Sequence, residues 1–322
     1  GVSSLNDQTL TKQMASKEED KSPSPGGVPK CESTTWLGKW DARDALYASF
    51  ITFVHVLCLF APSTFSWNAL NVAALLYILT FLGITLSYHR NLSHRSFKLP
   101  KYLEYMFAYF GFHAYQGDPI FWVSTHRNHH KYIDTELDPH SPVQGFWFAH
   151  IFWIFNRNKM IQKGANLKNV ADLTRQRYYR FLQKTMVLHM YMMGALLYML
   201  GGFPFIVWGM GVRTVCTYHA TFIVNSIGHT WGHQAWNTKD MSRNVWYLAL
   251  VTFGEGWHNN HHAFEFSARH GLDWWQLDIT FYVIKILEYL GFATDVKVPS
   301  EKHKRKRMAL KEGIEAAETP TA

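Results

Sequence analysis

Residues 68–94 read NALNVAALLYILTFLGITLSYHRNLSH, an apolar stretch without charge as far as Arg90 that runs straight into two histidines, His89 and His94. Upstream the pattern is the same: no Lys, Arg, Asp or Glu occurs between Ala45 and His89, and a second uncharged run extends from Thr185 to Val212. Crossing a bilayer takes roughly 20 consecutive apolar residues, so both runs are long enough. The mean hydropathy of −0.15 looks soluble only because polar ends dilute these runs. The chain reads as an all-α integral membrane protein with four transmembrane helices. Ala45–Pro62 is the first and Asn68–Tyr88 the second. Thr185–Phe203 is the third, closed by Gly201, Gly202 and Pro204, and Phe205–Ile227 is the fourth. Arg213 interrupts the fourth; facing lipid it would be costly, so it is expected to snorkel, pair internally or mark a shallower segment.

Histidine supplies the chemistry. Three clusters stand at the aqueous edges of apolar stretches: His89-Arg-Asn-Leu-Ser-His94, His126-Arg-Asn-His129-His130 and His258-Asn-Asn-His261-His262. They hold eight of the chain's 18 histidines. Neutral imidazole is a common ligand for iron, zinc, copper and nickel. On a helix, positions i, i+3 and i+4 share a face, so each His-x-x-His-His box is expected to aim three ring nitrogens at one place. A structural zinc site would close with four ligands, often cysteines; eight histidines suit two ions. Imidazole ligation leaves iron redox-active with positions open to dioxygen, and the neighbouring membrane offers an apolar substrate. Oxygen-dependent chemistry on a lipid chain is the combined expectation.

The spans place the boxes together. The first box follows the second span, the second lies in the 90–184 loop, and the third follows the fourth span, so an even number of crossings precedes each. All three face one compartment, and Lys and Arg flank that side of the spans, which makes it cytoplasmic or its organellar equivalent. A cap built partly of short helices is expected there, over Lys101–Tyr115, Gly145–Phe155 and Trp274–Leu290, which are apolar but too short to span.

The remaining sequence is less eventful. Residues 1–38 are rich in Ser, Lys, Pro and Gly and read as a disordered segment; residues 39–298 form the membrane domain and 299–322 a basic tail. Cys31, Cys58 and Cys216 are scattered and suggest neither disulfides nor a thiolate metal site. The chain starts with Gly rather than Met, as if a leader were removed or omitted. Net charge is +8, and the run Lys302–Arg307 reads as a solvated tail facing anionic headgroups; nucleic-acid binding is not expected.

The pattern resembles the membrane fatty-acyl desaturases, specifically the delta-9-type family with a His-x4-His first box. The likeness covers about residues 40–298, carried by HRNLSHRSF at 89–97, WVSTHRNHH at 122–130, Asp138-Pro-His140 and GWHNNHHA at 256–263. The longer wording, GGFPFIVWGMGVR at 201–213 and GEGWHNNHHAFEFSARHG at 254–271, looks like the plant acyl-lipid branch. It is similar to the plastid palmitoyl-galactolipid desaturases and their extraplastidial relatives. The resemblance implies two iron ions and a ninth ligand, His229, from Asn225-Ser-Ile-Gly-His229, with Asn225 holding a metal-bound water. It implies that His89, His94, His126, His130 and His261 hold one iron and His129, His229, His258 and His262 the other. Asp134, Glu136 and His140 are expected to orient the second-box rings, with Glu255 a further candidate. His55 and His189, isolated within spans, are expected to pack or bond between helices.

The implied reaction introduces a cis double bond, of delta-9 or delta-7 type, into a saturated acyl chain using dioxygen and two electrons. No His-Pro-Gly-Gly haem motif is present, so electrons are expected from a separate donor, ferredoxin or cytochrome b5. Where the animal acyl-CoA enzymes carry an Arg-Asp pair before the second box, this chain has Ser124 and Thr125, which favours lipid-linked acyl chains over acyl-CoA. Arg90, Arg95, Lys98 and Arg127 are the cations that could compensate. A chloroplast or endoplasmic-reticulum membrane is expected. The rival readings are a fatty-acyl hydroxylase with the same boxes and, from another class, a metal transporter or sensor.

Overall fold

The structure is a computed structural model that describes residues 42–155 and 167–308. The N-terminal segment 1–38 with Cys31, and the tail beyond residue 308, lie outside the described residues. Within residues 36–322, which form one compact unit, every element among the described residues is helical and only isolated β-bridges occur.

Helix α1 (Ala42–Cys58) is followed by α2 (Trp67–Leu82), which starts where the Ser66 hydroxyl accepts from the Ala69 amide and satisfies an otherwise free N-terminal donor. Helix α2 does not end at the first histidine box. It widens into a π-helix over Gly83–Ser93. Helix α3 (Lys101–Phe112) and helix α4 (Pro119–Tyr132) follow, α4 beginning with Pro119 at its first position and Asp118 accepting from the Phe121 amide at 3.0 Å. After the short α5 (Phe146–His150), the long α6 (Arg177–Phe205) is interrupted by non-helical dihedrals at Gly201 and Gly202, with φ +65° at Gly202. That left-handed conformation suits glycine, and Pro204 two residues on removes a backbone donor. The chain continues through a second π-helix, Ile206–Val212, into α7 (Arg213–Ser226). Helices α8 (Trp246–Val251), α9 (His258–Ala263) and α10 (Ile279–Tyr289) complete the cap, and residues 301–308 are again helical.

Two helical runs among the described residues, Trp67–Ser93 and Arg177–His229, are long and apolar enough to cross a membrane; the second contains the break at Gly201 and Gly202, and a shorter apolar helix covers Asp44–Cys58. Only 28% of the apolar window in the Arg177–His229 run is buried in the fold, whereas a soluble core helix is mostly buried. Leu188, Tyr191, Met192, Leu196 and Met199 all point outward. Arg213 does not. It is buried, donating to the carbonyls of Gly209 and His113 at 2.9 and 2.5 Å, and its guanidinium stands 5.1 Å from the centre of the Tyr115 ring. His55 and His189 bond between helices, to His219 at 3.2 Å and to the Tyr109 hydroxyl at 3.0 Å.

The site's position depends on a close crossing. Gly83, where α2 becomes π-helical, lies against Gly111 of α3, and a Cβ built on Gly83 would stand 1.9 Å from the Gly111 amide nitrogen. Behind this contact Leu86, Phe97, Phe107, Ala268 and Ile284 form a core that locks the π-helix, α3 and α10 together. Substituting Gly83→Ala is expected to force the two backbones apart and cost about 1–3 kcal/mol or more. Thermal denaturation of the detergent-solubilised protein, monitored by size exclusion, should show a clear drop in the melting temperature, while Gly194→Ala, whose added methyl meets only the end of Met210 at 3.7 Å, should stay near the unmodified value.

Candidate metal centre

Nine histidines converge at one end of the apolar helices. The first box depends on the π-helix. On an α-helix, residues five apart are about 140° apart around the axis, too far to meet. The π-helix is built on i→i+5 hydrogen bonds; the His94 amide donates to the His89 carbonyl at 3.1 Å, and the two imidazoles stand 4.9 Å apart. The spacing that sets this box apart from the other two is matched by a different helix.

The other boxes lie on α4 and α9, and here one expectation fails. Neither box aims three nitrogens at one place. His126, His130 and His261 join His89 and His94, whereas His129, His258 and His262 join His229; within each group the ligand atoms all lie within 4.8 Å of one another. Helical geometry explains the division. Positions i and i+4 are only about 40° apart, but i+3 falls about 100° from i+4 on the other side. His126 and His130 therefore act together while His129 turns away, and His258 and His262 act together while His261 turns away. Each box gives two residues to one group and one to the other.

Inside each group the Nε2 atoms face one another: His89 and His261 at 3.1 Å, His261 and His130 at 3.0 Å, His94 and His126 at 2.8 Å, His229 and His258 at 2.9 Å. Several Nδ1 atoms face outward to carboxylates. Glu255 lies 2.6 Å from His89, Asp138 2.9 Å from His129, Asp134 3.1 Å from His229 and Asp240 3.1 Å from His262; Glu265 stands 3.3 Å from His130. A carboxylate at Nδ1 fixes that proton and leaves Nε2 as a bare lone pair. Burial pushes the pKa values of His126, His129, His258, His261 and His262 well below the ordinary range, and neighbouring imidazoles push the same way. Neutral lone pairs about 3 Å apart repel unless a cation lies between them. With metal–nitrogen bonds of about 2.1 Å, two ligands at right angles on one ion are about 3.0 Å apart. The donor set fits metal ions.

Arg90 anchors this arrangement. It is fully buried, donates to both Glu255 and Asp278 at 2.9–3.0 Å, and binds the Ala268 carbonyl at 2.7 Å. Burial alone would raise the Glu255 pKa, but Arg90 beside it holds that carboxyl well below the usual range. Asp278 also accepts from the backbone amides of His270 and Phe281, which ties the start of α10 into the centre. Arg90 is thus no headgroup contact. Among the other carboxylates, Asp134 serves His229 rather than the second box and Glu136 is exposed; Asp138, for which the sequence suggested no such part, is the carboxylate that meets His129 of the second box. The His140 ring lies against that of His129, tilted by 34° with ring centres 4.4 Å apart. Asp240 and Glu265 carry no spacing signal and meet their histidines only through the fold. His270, unassigned from the sequence, lies with Nδ1 3.2 Å from Glu255 and its ring 4.5 Å from that of His261.

Two cavities reach the groups from the side of the apolar helices, sharing Trp122, His126, Thr221 and Asn225. One also touches His89, His129 and His258; the other continues between Tyr47 and Ile51 of α1 and Tyr218 and Phe222 of α7. At the junction Gln116 donates to the Thr221 hydroxyl at 2.8 Å and accepts from the Trp122 indole at 3.2 Å. Asn225 lines both cavities beside the second group. Ser124 and Thr125 are buried, bonded to Asn169 and to the Phe121 carbonyl, and offer nothing to solvent.

A family model for fatty acid desaturases matches residues 65–290. The chain is 59% identical to an acyl-CoA C20 Delta5-desaturase of Anemone leveillei, over 94% of this chain and 98% of that one. It is 57% identical to the chloroplastic palmitoyl-monogalactosyldiacylglycerol delta-7 desaturase of Arabidopsis thaliana, over 88% and 76% of the respective chains. It is 54% identical to delta-9 acyl-lipid desaturase 1 of the same plant, over 85% and 90%.

The carboxylate at His262 gives a direct prediction. Asp240→Ala should weaken metal retention about 10- to 100-fold, with the loss confined to metal held by the group that contains His262. Competition with a chelator, read by metal analysis of the recovered protein, checks it.

Proposed function

Because this chain belongs to the fatty acid desaturase family, we propose that it is an oxygen-dependent desaturase that places a cis double bond in a lipid-linked acyl chain. The observation that carries this reading is the pairing of the two imidazole groups with two cavities that share lining residues, one bordering both groups and the other running on between aromatic side chains. The nine histidines, His89, His94, His126, His130 and His261 in one group and His129, His229, His258 and His262 in the other, would hold two iron ions. Iron bound there would supply the oxidising power that, with dioxygen, removes two hydrogens from adjacent methylenes. The protein's part is placement. The cavity wall of Tyr47, Ile51, Tyr218 and Phe222 excludes water and accepts an alkyl chain, the Gln116–Thr221–Trp122 bonds hold its shape at the junction, and Asn225 is placed to hold a water beside the second group.

In this reading α1, α2, α6 and α7 cross the membrane, so that all three boxes share one side; a chloroplast membrane is favoured, with the endoplasmic reticulum the alternative. Names among the relatives divide between acyl-CoA and acyl-lipid, so the carrier rests on this chain's own residues. Ser124 and Thr125 supply no charge, and Arg90 and Arg127 are committed to internal carboxylates. Phosphate-rich coenzyme A would find few paired donors there. Acyl-CoA is the second reading, supported by the names of two Anemone leveillei relatives at 59% and 60% identity.

Expression in a desaturase-deficient host, followed by fatty-acid profiling of each lipid class, tests the activity and the carrier together. New double bonds should appear first in intact membrane lipid. Desaturation of labelled acyl-CoA before transfer to lipid would favour the second reading, and alcohols in place of alkenes would identify a hydroxylase. In the same host His229→Ala should abolish the product with normal membrane insertion, whereas His189→Ala, whose ring bonds only Tyr109, should retain most of it.

A further inference from the structure

Helix α9 has six residues, of which three are histidines of the centre and two are Asn259 and Asn260, both buried. Around the helix axis the histidines occupy an arc of about 100°, and the asparagines fall on the remaining side, about 100° and 200° from His258. A helix this short is not stable by its own hydrogen bonds, so its angle about its axis is set from outside. Rotation of α9 would carry His258 and His262 across the second group and His261 across the first in one movement.

The asparagines meet a folded platform. Residues 233–244 close on themselves, His233 and Asn244 exchanging backbone bonds of 3.0 and 2.7 Å, and the Val245 amide donates to the Gly256 carbonyl just before α9. Asn259 accepts from the Trp236 backbone amide at 2.7 Å, and its side-chain amide donates to the Trp236 carbonyl at 3.0 Å and to the Ser242 hydroxyl at 3.2 Å. Asn260 fills all four of its side-chain hydrogen-bonding positions. Its Oδ1 accepts from the Trp236 indole at 2.9 Å and the Asn244 side-chain amide at 2.8 Å; its Nδ2 donates to the His270 carbonyl and to Gln276 Oε1, each at 2.9 Å. The same platform carries Asp240, which meets His262, and its Met241 amide donates at 2.6 Å to Asp134, which meets His229. The His270 ring lies beside that of His261 in the first group.

We infer that Asn259 and Asn260 are positioning residues that fix the angle of α9 and, through it, both histidine groups at once. This role rests on the desaturase reading above, in which each group holds an iron. It differs in kind from that of Asp240, which meets a single ring: without Asp240 one group is disturbed, whereas without the asparagine clamp ligands move in both. The clamp also accounts for an amide at position 260. Aspartate has nearly the same shape, but it would set an oxygen without a hydrogen against the His270 carbonyl and Gln276 Oε1, leaving buried acceptors unsatisfied.

The test uses the full-length protein in detergent, loaded with ferrous iron under argon and challenged with rising chelator. Asn260→Asp should lose both irons together, at a chelator concentration about tenfold or more below that needed for the unmodified protein, with no plateau at one iron per chain. Asp240→Ala should show that plateau. Trp236→Phe removes the indole donor to Asn260 and leaves α9 itself unaltered, so it should show the joint loss in weaker form; it decides the matter if the Asn260 variant does not fold. With saturating cobalt(II) in place of iron, the visible bands of the folded variants should shift, because ligand angles change even when both sites are full; a loss of stability alone leaves that spectrum as it was. A plateau at one iron in the Asn260 or Trp236 variant, retention equal to the unmodified protein, or an unchanged cobalt spectrum would overturn the inference. Neither readout uses turnover. Joint loss in a protein that forms no alkene would remove the desaturase reading and leave the clamp, and alkene formation with separable losses would do the reverse.

Discussion

Imidazoles packed with their Nε2 atoms about 3 Å apart, in four facing pairs drawn from seven of the nine histidines, are the constraint on which the rest of this fold depends. Lone pairs that face one another at this distance repel unless positive charge lies between them, and burial pushes the pKa values of His126 and His258 well below the ordinary range, so these rings do not supply that charge by taking up protons. Everything around the groups serves to hold them in this geometry. Carboxylates at Nδ1 fix the tautomers, and Arg90, itself buried, neutralises Glu255 and Asp278. A buried guanidinium with two carboxylates is expensive to desolvate. Its return here is positional: one side chain fixes the end of the π-helix, the segment before α9 and the start of α10 relative to one another.

The centre has two faces of opposite character. Toward the apolar helices it meets aromatic and aliphatic walls with a few polar groups at one junction. Toward solvent it meets cations and a partly exposed histidine. Both groups border the cavities on the apolar side, through His89, His126, His129 and His258, and the first also borders a basin on the solvent side through His94.

Much of this was legible in the sequence because its signals are local. Uncharged runs announced the apolar helices, Gly201, Gly202 and Pro204 marked the break between α6 and the segment that follows, and the boxes drew attention to eight histidines by spacing alone. His229 lacks such spacing and came only through the resemblance of its segment to a known motif. What failed to show was non-local or depended on an uncommon helix. The division of the second and third boxes between two groups was implied by the resemblance but not by spacing; it follows from the angle between i+3 and i+4, which a count of shared faces glosses over. The π-helix at His89 was hidden because its residues read equally well as the end of an α-helix. Asp240 and Glu265 reach their histidines through folded loops that no periodicity predicts, and Arg90, at the end of an apolar run, read as one of the cations that could meet a substrate headgroup.

The desaturase reading stands on two iron ions, one held by each histidine group. X-ray absorption at the iron edge, combined with metal analysis of the purified full-length protein, tests it most directly. The claim predicts two irons per chain, each with a first shell of nitrogen and oxygen and no sulfur, and bond lengths of about 2.1 Å in keeping with imidazole ligation. One metal per chain, a tetrahedral zinc signature, or sulfur in the first shell would contradict it.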